Sequence, residues 1–140
     1  MKQRFYLDTA IWRDYFEDRK DRIQPLGEFA FQFLKNCEKH NYIILYSPLV
    51  LHELYSHYSD ERVNEVFSSF ANLLQEVKPQ PGQLTEAKKI NRKIKDSHTA
   101  DILHAILARD SGSIMITRDK HFEALTSVVE VLKPEEVTFG

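Results

Sequence analysis

Short apolar runs that end in a carboxylate constrain this chain more than any other feature. Arg4 to Leu7 leads into Asp8, and Ile114 to Thr117 leads through Arg118 into Asp119. Asp101 stands amid Ala100, Ile102, Leu103, Ile106 and Leu107, and Glu53 closes the stretch Ser47-Pro48-Leu49-Val50-Leu51-His52. An unpaired charge inside an apolar core is costly, so each run must bring its acid out at an edge. If the runs are neighbouring parallel strands and the helices beside them, that edge is shared. No Arg or Lys is spaced to neutralise all four carboxylates. A hard divalent cation would do so, since magnesium and manganese prefer oxygen ligands.

The apolar pattern supports the shared edge. Arg4 to Leu7 reads as a buried strand, followed by a helix through about Phe16. Pro25 opens a second helix running to about Lys39, with Leu26, Phe29, Ala30, Phe33, Leu34 and Cys37 on one face. Tyr42 to Tyr46 is the next strand. Ser47-Pro48 then supplies an N-cap and a first-turn proline, which puts Glu53 in the first two turns of the helix that follows. A helix capped by Asp60 is expected to run to about Gln75 on Val63, Val66, Phe67, Phe70, Leu73 and Leu74. Pro79-Gln80-Pro81-Gly82 reads as a loop, and Thr85 as the start of a basic helix. Thr99 to Arg109 is apolar almost all round, hence a buried helix. Ser111-Gly112-Ser113 turns the chain into a strand over Ile114 to Thr117. A short helix over Lys120 to Leu125 and a last strand over Val128 to Leu132 complete the pattern.

Strands alternating with helices predict an α/β fold of three layers, α/β/α, around a central parallel sheet. From Asp101 to the end of its helix is roughly 14 Å at 1.5 Å per residue. The strand from Ser113 returns by roughly 16 Å at 3.3 Å per residue, which brings Asp119 back level with Asp101. All four acids thus fall at carboxyl ends of strands or amino ends of helices. Open α/β sheets place their sites there, and the helix dipole makes clustered carboxylates less costly.

Composition narrows the class. The 140 residues suit one domain spanning 1–140, and 42% hydrophobic with 29% charged residues is ordinary for a globular chain. The single Cys37 excludes an intramolecular disulfide and offers no paired zinc ligand, which points to a reducing cytoplasm. There is no signal-peptide layout, and no apolar stretch approaches the ~20 residues that span a bilayer, so no membrane association is expected. A net charge of −2 lacks the basic footprint of a strong nucleic-acid binder. Any polyanion must be held by local basic groups and by metal. Lys88, Lys89, Arg92 and Lys93 form such a group on one helix face, which is either a solvated face or a phosphate-contacting one.

Plainer readings stay open residue by residue. Asp8 and Asp119 stand where N-caps stand, and a glutamate near a helix start, as Glu53 is, is favourable without any function. Asp101 is harder to explain structurally, having no adjacent Arg or Lys. Thr9 and Thr117 sit beside site acids and could hold a carboxylate or a metal-associated water, or simply cap a helix. His98 and His104 lie one turn either side of Asp101 and suit core or supporting places rather than catalytic ones. Trp12 and Tyr15 suit core packing.

Four segments carry a resemblance: Leu7-Asp8-Thr9, Glu53 in the helix after the second strand, Ala100-Asp101-Ile102-Leu103-His104-Ala105, and Thr117-Arg118-Asp119-Lys120-His121-Phe122. In this order and spacing the chain, from Phe5 to about Val131, resembles the PIN domain family, the ribonuclease fold of VapC-type toxins in toxin–antitoxin pairs. The resemblance implies that Asp8, Glu53, Asp101 and Asp119 are the metal-binding catalytic acids, with Thr9 and Thr117 in support. Glu123 stands near a place where some members have a further aspartate, and it is given no role. The implied activity is a magnesium- or manganese-dependent endoribonuclease in which water, its pKa lowered by metal, attacks phosphorus, leaving a 3′-hydroxyl and a 5′-phosphate. The implied partners are RNA and a small antitoxin protein. A catalytically silent PIN-like binding module, or a PIN nuclease in RNA processing, remains the alternative. A haloacid-dehalogenase-like phosphatase would need a second aspartate where Ala10 stands, and a dinucleotide-binding domain would need a GxGxxG turn.

The helices around Glu53 and from Asp60 to Gln75 also look over-supplied with large apolar groups. Leu49, Val50, Leu51, Leu54, Tyr55, Tyr58, Val63, Val66, Phe67, Phe70, Leu73 and Leu74 exceed what one buried face needs. Some are expected to line a surface patch, and with it a two-fold homodimer.

Overall fold

The structure is a computed structural model and describes residues 2–95 and 97–139. Its strands are β1 (Arg4–Leu7), β2 (Ile43–Tyr46), β3 (Leu74–Glu76), β4 (Ile114–Ile116) and β5 (Val131–Leu132). Its helices are α1 (Thr9–Glu17), α2 (Leu26–His40), α3 (Pro48–His57), α4 (Asp60–Ser69), α5 (Pro81–Lys93) and α6 (Thr99–Asp110). Short 3₁₀ turns cover Lys120–Leu125 and Pro134–Glu136.

The five strands pair in the order β3-β2-β1-β4-β5, all parallel. Steps from β1 to β2 to β3 run one way along the sheet, and the step from β3 to β4 runs back past β1. Right-handed crossovers therefore lay α1 to α4 on one face and α5 and α6 on the other, giving a three-layer α/β/α fold. Side chains on β1 alternate accordingly. Phe5 meets Phe33 of α2 with ring centroids 5.0 Å apart, while Tyr6 meets His104 of α6 at 5.6 Å. Both faces are covered, so β1, β2 and β4 read as nearly unbroken apolar runs. The strand order reverses between β1 and β4, and that crevice is where an open α/β sheet places its ligands.

Several boundaries differ from the sequence pattern. The helix expected from Asp60 to Gln75 stops at Ser69, and Leu74–Glu76 becomes an edge strand on β2, with Ile44 opposite Leu74. The cap of α4 is Ser59, whose Oγ accepts the Arg62 N–H at 3.2 Å, with Asp60 already inside the helix. Helix α5 begins at Pro81 rather than Thr85, because Gln83 reaches back to accept the Gln80 N–H at 2.7 Å. The last strand is confined to Val131–Leu132.

The apolar surplus of α3 and α4 is largely absorbed within the chain. Val50, Leu54, Val63, Phe70 and Leu73 are buried, and the other residues of that set pack partly buried against the core, apart from Tyr55, which is 38% exposed.

Candidate metal centre

Asp8 follows β1, and its N–H donates to the Ile116 carbonyl of β4 at 2.9 Å. Its carbonyl accepts the Ile11 N–H at 3.0 Å, so the backbone starts α1 at the position of an N-cap. The side chain does not cap. It turns across the crevice instead, and Oδ2 accepts the Thr117 hydroxyl at 2.9 Å. Asp8 is 8% exposed, so this is a buried charge with one neutral partner. The Thr117 oxygen in turn accepts the Asp119 N–H at 3.0 Å, and one hydroxyl thus ties two of the acids together.

Asp119 is a cap as well as a site candidate. Its Oδ1 accepts the His121 N–H at 2.9 Å at the start of the 3₁₀ turn, and His121 Nδ1 lies 2.9 Å from the same oxygen. Asp101, in the first turn of α6, is half-buried and faces this pair. One ligand atom each from Asp101, Asp119 and His121 lie within 4.8 Å of one another. Glu53 reaches in from the second turn of α3, with Oε1 3.3 Å from Nε2 of the buried His104.

The carboxylates feel one another. Burial pushes the Asp8 carboxyl up to about 6; His104 and the Thr117 hydrogen bond oppose the rise, and Glu53 and Asp101 add to it. Burial, then Asp119, raises the Asp101 carboxyl from its ordinary value against the pull of the nearby histidines. Burial is the largest single influence on Glu53 and works to raise it, but the hydrogen bond and charge of His104, with Thr9 and His52, together outweigh it and leave that carboxyl below its usual value. Arg118, although next to Asp119, does not neutralise the cluster. Its guanidinium forks onto Glu135 at 2.7 and 2.5 Å, lies 3.6 Å from Asp14 and sits over the Phe29 ring. The basic groups that act on these carboxyls are histidines: His104 on Asp8, His98, His104 and His121 on Asp101, and His104 and His52 on Glu53.

A divalent cation fits this donor set. Mutually repelling carboxylates with no permanent cation, one adjacent imidazole and the buried Thr9 hydroxyl, which has no hydrogen-bond partner, are what an oxygen-preferring ion and its waters would satisfy. Lys88, Lys89, Arg92 and Lys93 are exposed on α5, which packs against α6 through the buried Ala87. They share no hydrogen bond with the acids among the described residues. His121 was not singled out by residue pattern; its signal was its place two residues beyond Asp119. Asp14 was also missed. It is 4% exposed on α1 and is neutralised by Arg118 and Arg19, a structural pairing.

The family model for the PIN domain matches residues 5–127. The chain belongs to the PIN domain family. PIN domains are, as a family, nucleases. Solved structures agree on the PIN fold. VapBC2 from Rickettsia felis, bound to a DNA fragment from its promoter, aligns with a TM-score of 0.67 at 17% identity, covering 94% of this chain and 98% of that one. A toxin–antitoxin complex from Klebsiella pneumoniae gives 0.65 at 17% identity, with coverage of 94% and 98%. FitAcB from Neisseria gonorrhoeae gives 0.62 at 16% identity, with coverage of 95% and 99%. The sequence finds no significant match among curated proteins.

The buried Asp8 sets a pH dependence for this PIN domain. Its folded-state pKa lies above its unfolded value, so Asp8 contributes stability that is complete at acid pH and lost as the pH rises through about 6. Asp8→Asn cannot ionise and still offers Thr117 an acceptor. In chelator, its unfolding free energy should exceed that of wild type by about 2–3 kcal/mol near pH 7.5, with the gap closing toward about pH 4. Urea denaturation across that range measures it, and a gap that is absent or independent of pH would show that Asp8 is not held at a cost.

Proposed function

We propose that this PIN domain is a magnesium- or manganese-dependent endoribonuclease, the toxin of a toxin–antitoxin pair, acting in the cytoplasm. The observation that carries the reading is Asp8: a buried carboxylate in a cap position that forgoes its cap and turns to Thr117 at the strand-order reversal. On this reading Asp101 and Asp119, whose ligand atoms group with that of His121, would hold the ion together with Asp8 and Glu53. When bound, the ion lowers the pKa of water and stabilises the charge on the departing oxygen. The chain's own residues do the positioning. Thr117 fixes the Asp8 rotamer and the Asp119 backbone at once, so two ligands are set by one hydroxyl. His121 holds the Asp119 oxygen from the side facing Asp101. Asp8 is buried while the Glu53 side chain is 44% exposed, so a phosphodiester would enter on the Glu53 side. The likeness to PIN structures solved in toxin–antitoxin complexes supports an antitoxin partner. RNA as substrate follows from the resemblance, with water as the nucleophile and a 5′-phosphate as product.

Cleavage of single-stranded RNA should require Mg²⁺ or Mn²⁺, stop in excess chelator, and fall at least about a hundredfold in Asp8→Asn and Asp101→Asn. A denaturing gel of labelled RNA checks this. Full activity in chelator, or wild-type turnover by both variants, would refute it.

The exposed basic face of α5 is proposed to contact RNA phosphates. Changing Lys88, Lys89, Arg92 and Lys93 to Gln should weaken RNA binding and flatten its salt dependence by roughly 0.7 slope units per lost contact. Turnover at saturating substrate should stay the same. An unchanged salt slope would leave the face merely solvated.

A two-fold homodimer would pair two such sites across a groove, through the half-buried side of α3 and α4 around Tyr55 and Phe67. Light scattering at micromolar concentration should give twice the chain mass, and a monomer mass with and without RNA would exclude it.

A further inference from the structure

A line of four polar side chains runs through the interior beneath Glu53, and no step above accounts for it. Ser47 Oγ lies 2.7 Å from the Tyr6 hydroxyl, which lies 2.7 Å from His104 Nδ1. On the far side of the ring, His104 Nε2 lies 3.3 Å from Glu53 Oε1. The four come from separate places in the fold: Tyr6 from β1, Ser47 from the junction of β2 and α3, Glu53 from α3 and His104 from α6. Tyr6 and Ser47 are fully buried and His104 is 2% exposed, whereas the Glu53 side chain is 44% exposed. The line therefore begins in the core and ends at the candidate site.

Its hydrogen-bond directions follow from what each group can do. An ionised carboxylate only accepts, so His104 Nε2 must carry a hydrogen. With the ring neutral, Nδ1 accepts the Tyr6 hydrogen and the Tyr6 oxygen accepts from Ser47; with the ring protonated, Nδ1–H donates to the Tyr6 oxygen and Tyr6 donates to Ser47. In both states Nε2–H faces Glu53.

A packing role does not explain this arrangement. Ser47 occupies the cap position of α3 and yet makes no cap bond. His104 interrupts a stretch, Ile102 to Ala108, that is otherwise apolar and buried. Leucine at 104 and phenylalanine at 6 would fill the same space with no polar atom to satisfy, and such replacements in cores are often neutral or stabilising. What the polar line adds lies at its outer end. Glu53 is a half-exposed side chain with three free torsions; the His104 N–H, 3.3 Å away, and the neighbouring Thr9 hydroxyl are what act on its carboxylate from the protein side. Residues that orient a metal ligand from behind in this manner act on affinity as well as on rate.

We propose that His104 is a positioning residue for Glu53: its Nε2–H, oriented by the Tyr6 and Ser47 hydroxyls, holds the carboxylate ready to receive the divalent cation. The inference rests on the metal-dependent reading above, and its test separates the two. Calorimetric titration of the full chain with MnCl₂ compares wild type with His104→Leu, His104→Gln and Tyr6→Phe, each first shown to unfold cooperatively. His104→Leu should bind Mn²⁺ roughly tenfold to a hundredfold more weakly. His104→Gln should keep most of the affinity, because its amide nitrogen stands as many bonds from Cβ as the imidazole Nε2. Tyr6→Phe, which frees the ring to turn, should fall between them. If His104→Leu does not fold, the other two variants and the ring itself decide. In ¹⁵N spectra of the metal-free wild type, the resonance missing from His104→Gln should show Nε2 protonated.

Wild-type Mn²⁺ affinity in His104→Leu, equal weakening in His104→Gln and His104→Leu, or the opposite tautomer would overturn the proposal and leave the metal reading standing. A wild type that binds no Mn²⁺ would remove that reading, and this inference with it.

Discussion

The buried carboxylate of Asp8 and the hydroxyl that meets it govern the arrangement around the crevice. Taking a carboxylate out of water costs several kcal/mol after relaxation, and a single neutral hydrogen bond offsets only part of that. The remainder is visible as a carboxyl pushed up to about 6. The bond itself depends on register. Leu7 pairs with Ile116 across the β1–β4 interface, which brings the next residues on each strand, Asp8 and Thr117, level with each other. A slip of one residue would point the Thr117 side chain to the opposite face of the sheet and bring Ile116 or Arg118 alongside Asp8 instead. The first would leave the carboxylate without a partner, and the second would neutralise it outright. Strand order and register are thus coupled to the electrostatics of the edge.

Two arginines close to the site acids in the chain are paired elsewhere. Arg118 is the clearest case, since its backbone adjoins Asp119 while its guanidinium is committed to Glu135 and Asp14 and stacked over Phe29. Arg109, at the far end of α6 from Asp101, is forked onto Glu86 and bonded to Asp110. Both arginines lie on elements that also carry site acids. Had either been free, its long side chain could have turned back to collapse onto the carboxylates and compete with a divalent ion.

Much of this was legible in the sequence, and the exceptions have identifiable causes. Asp8, Asp101 and Asp119 stood out because a charge beside Leu7, Ile102 or Ile116 conflicts with burial, and such a conflict is local. Edge strand β3 was hidden because Val63, Val66, Phe67, Phe70, Leu73 and Leu74 continue a helical spacing through a turn. Only the backbone pairing of Leu74 with Ile44, a contact distant in sequence, converts the end of that series to a strand. The start of α5 was hidden behind Gln80 and Gln83, a pairing that propensity does not signal. Whether Asp8 and Asp119 capped helices could not be read from position. The two stand in the same kind of place, yet one side chain turns to a neighbouring strand and the other to its own turn. The His104 line depends on several segments meeting, which no local pattern encodes; His121 lies two residues from Asp119, and only the approach of α6 brings Asp101 to the pair.

The partners of the acids share a property that a stability argument alone would not select. The Asp8 carboxylate meets a threonine, that of Glu53 a histidine, and that of Asp119 the ring and backbone N–H of His121. A lysine or arginine at any of these places would stabilise the metal-free chain more, because it would cancel charge as well as donate a hydrogen bond. It would also fill the space and satisfy the field that a divalent ion requires. Neutral hydroxyls and weakly basic rings orient the carboxylates without discharging them, so the cluster keeps its net negative potential and its geometry together. On the proposed reading, the metal-free fold bears the resulting repulsion as lost stability, a cost common at sites shaped for a ligand rather than for the empty state.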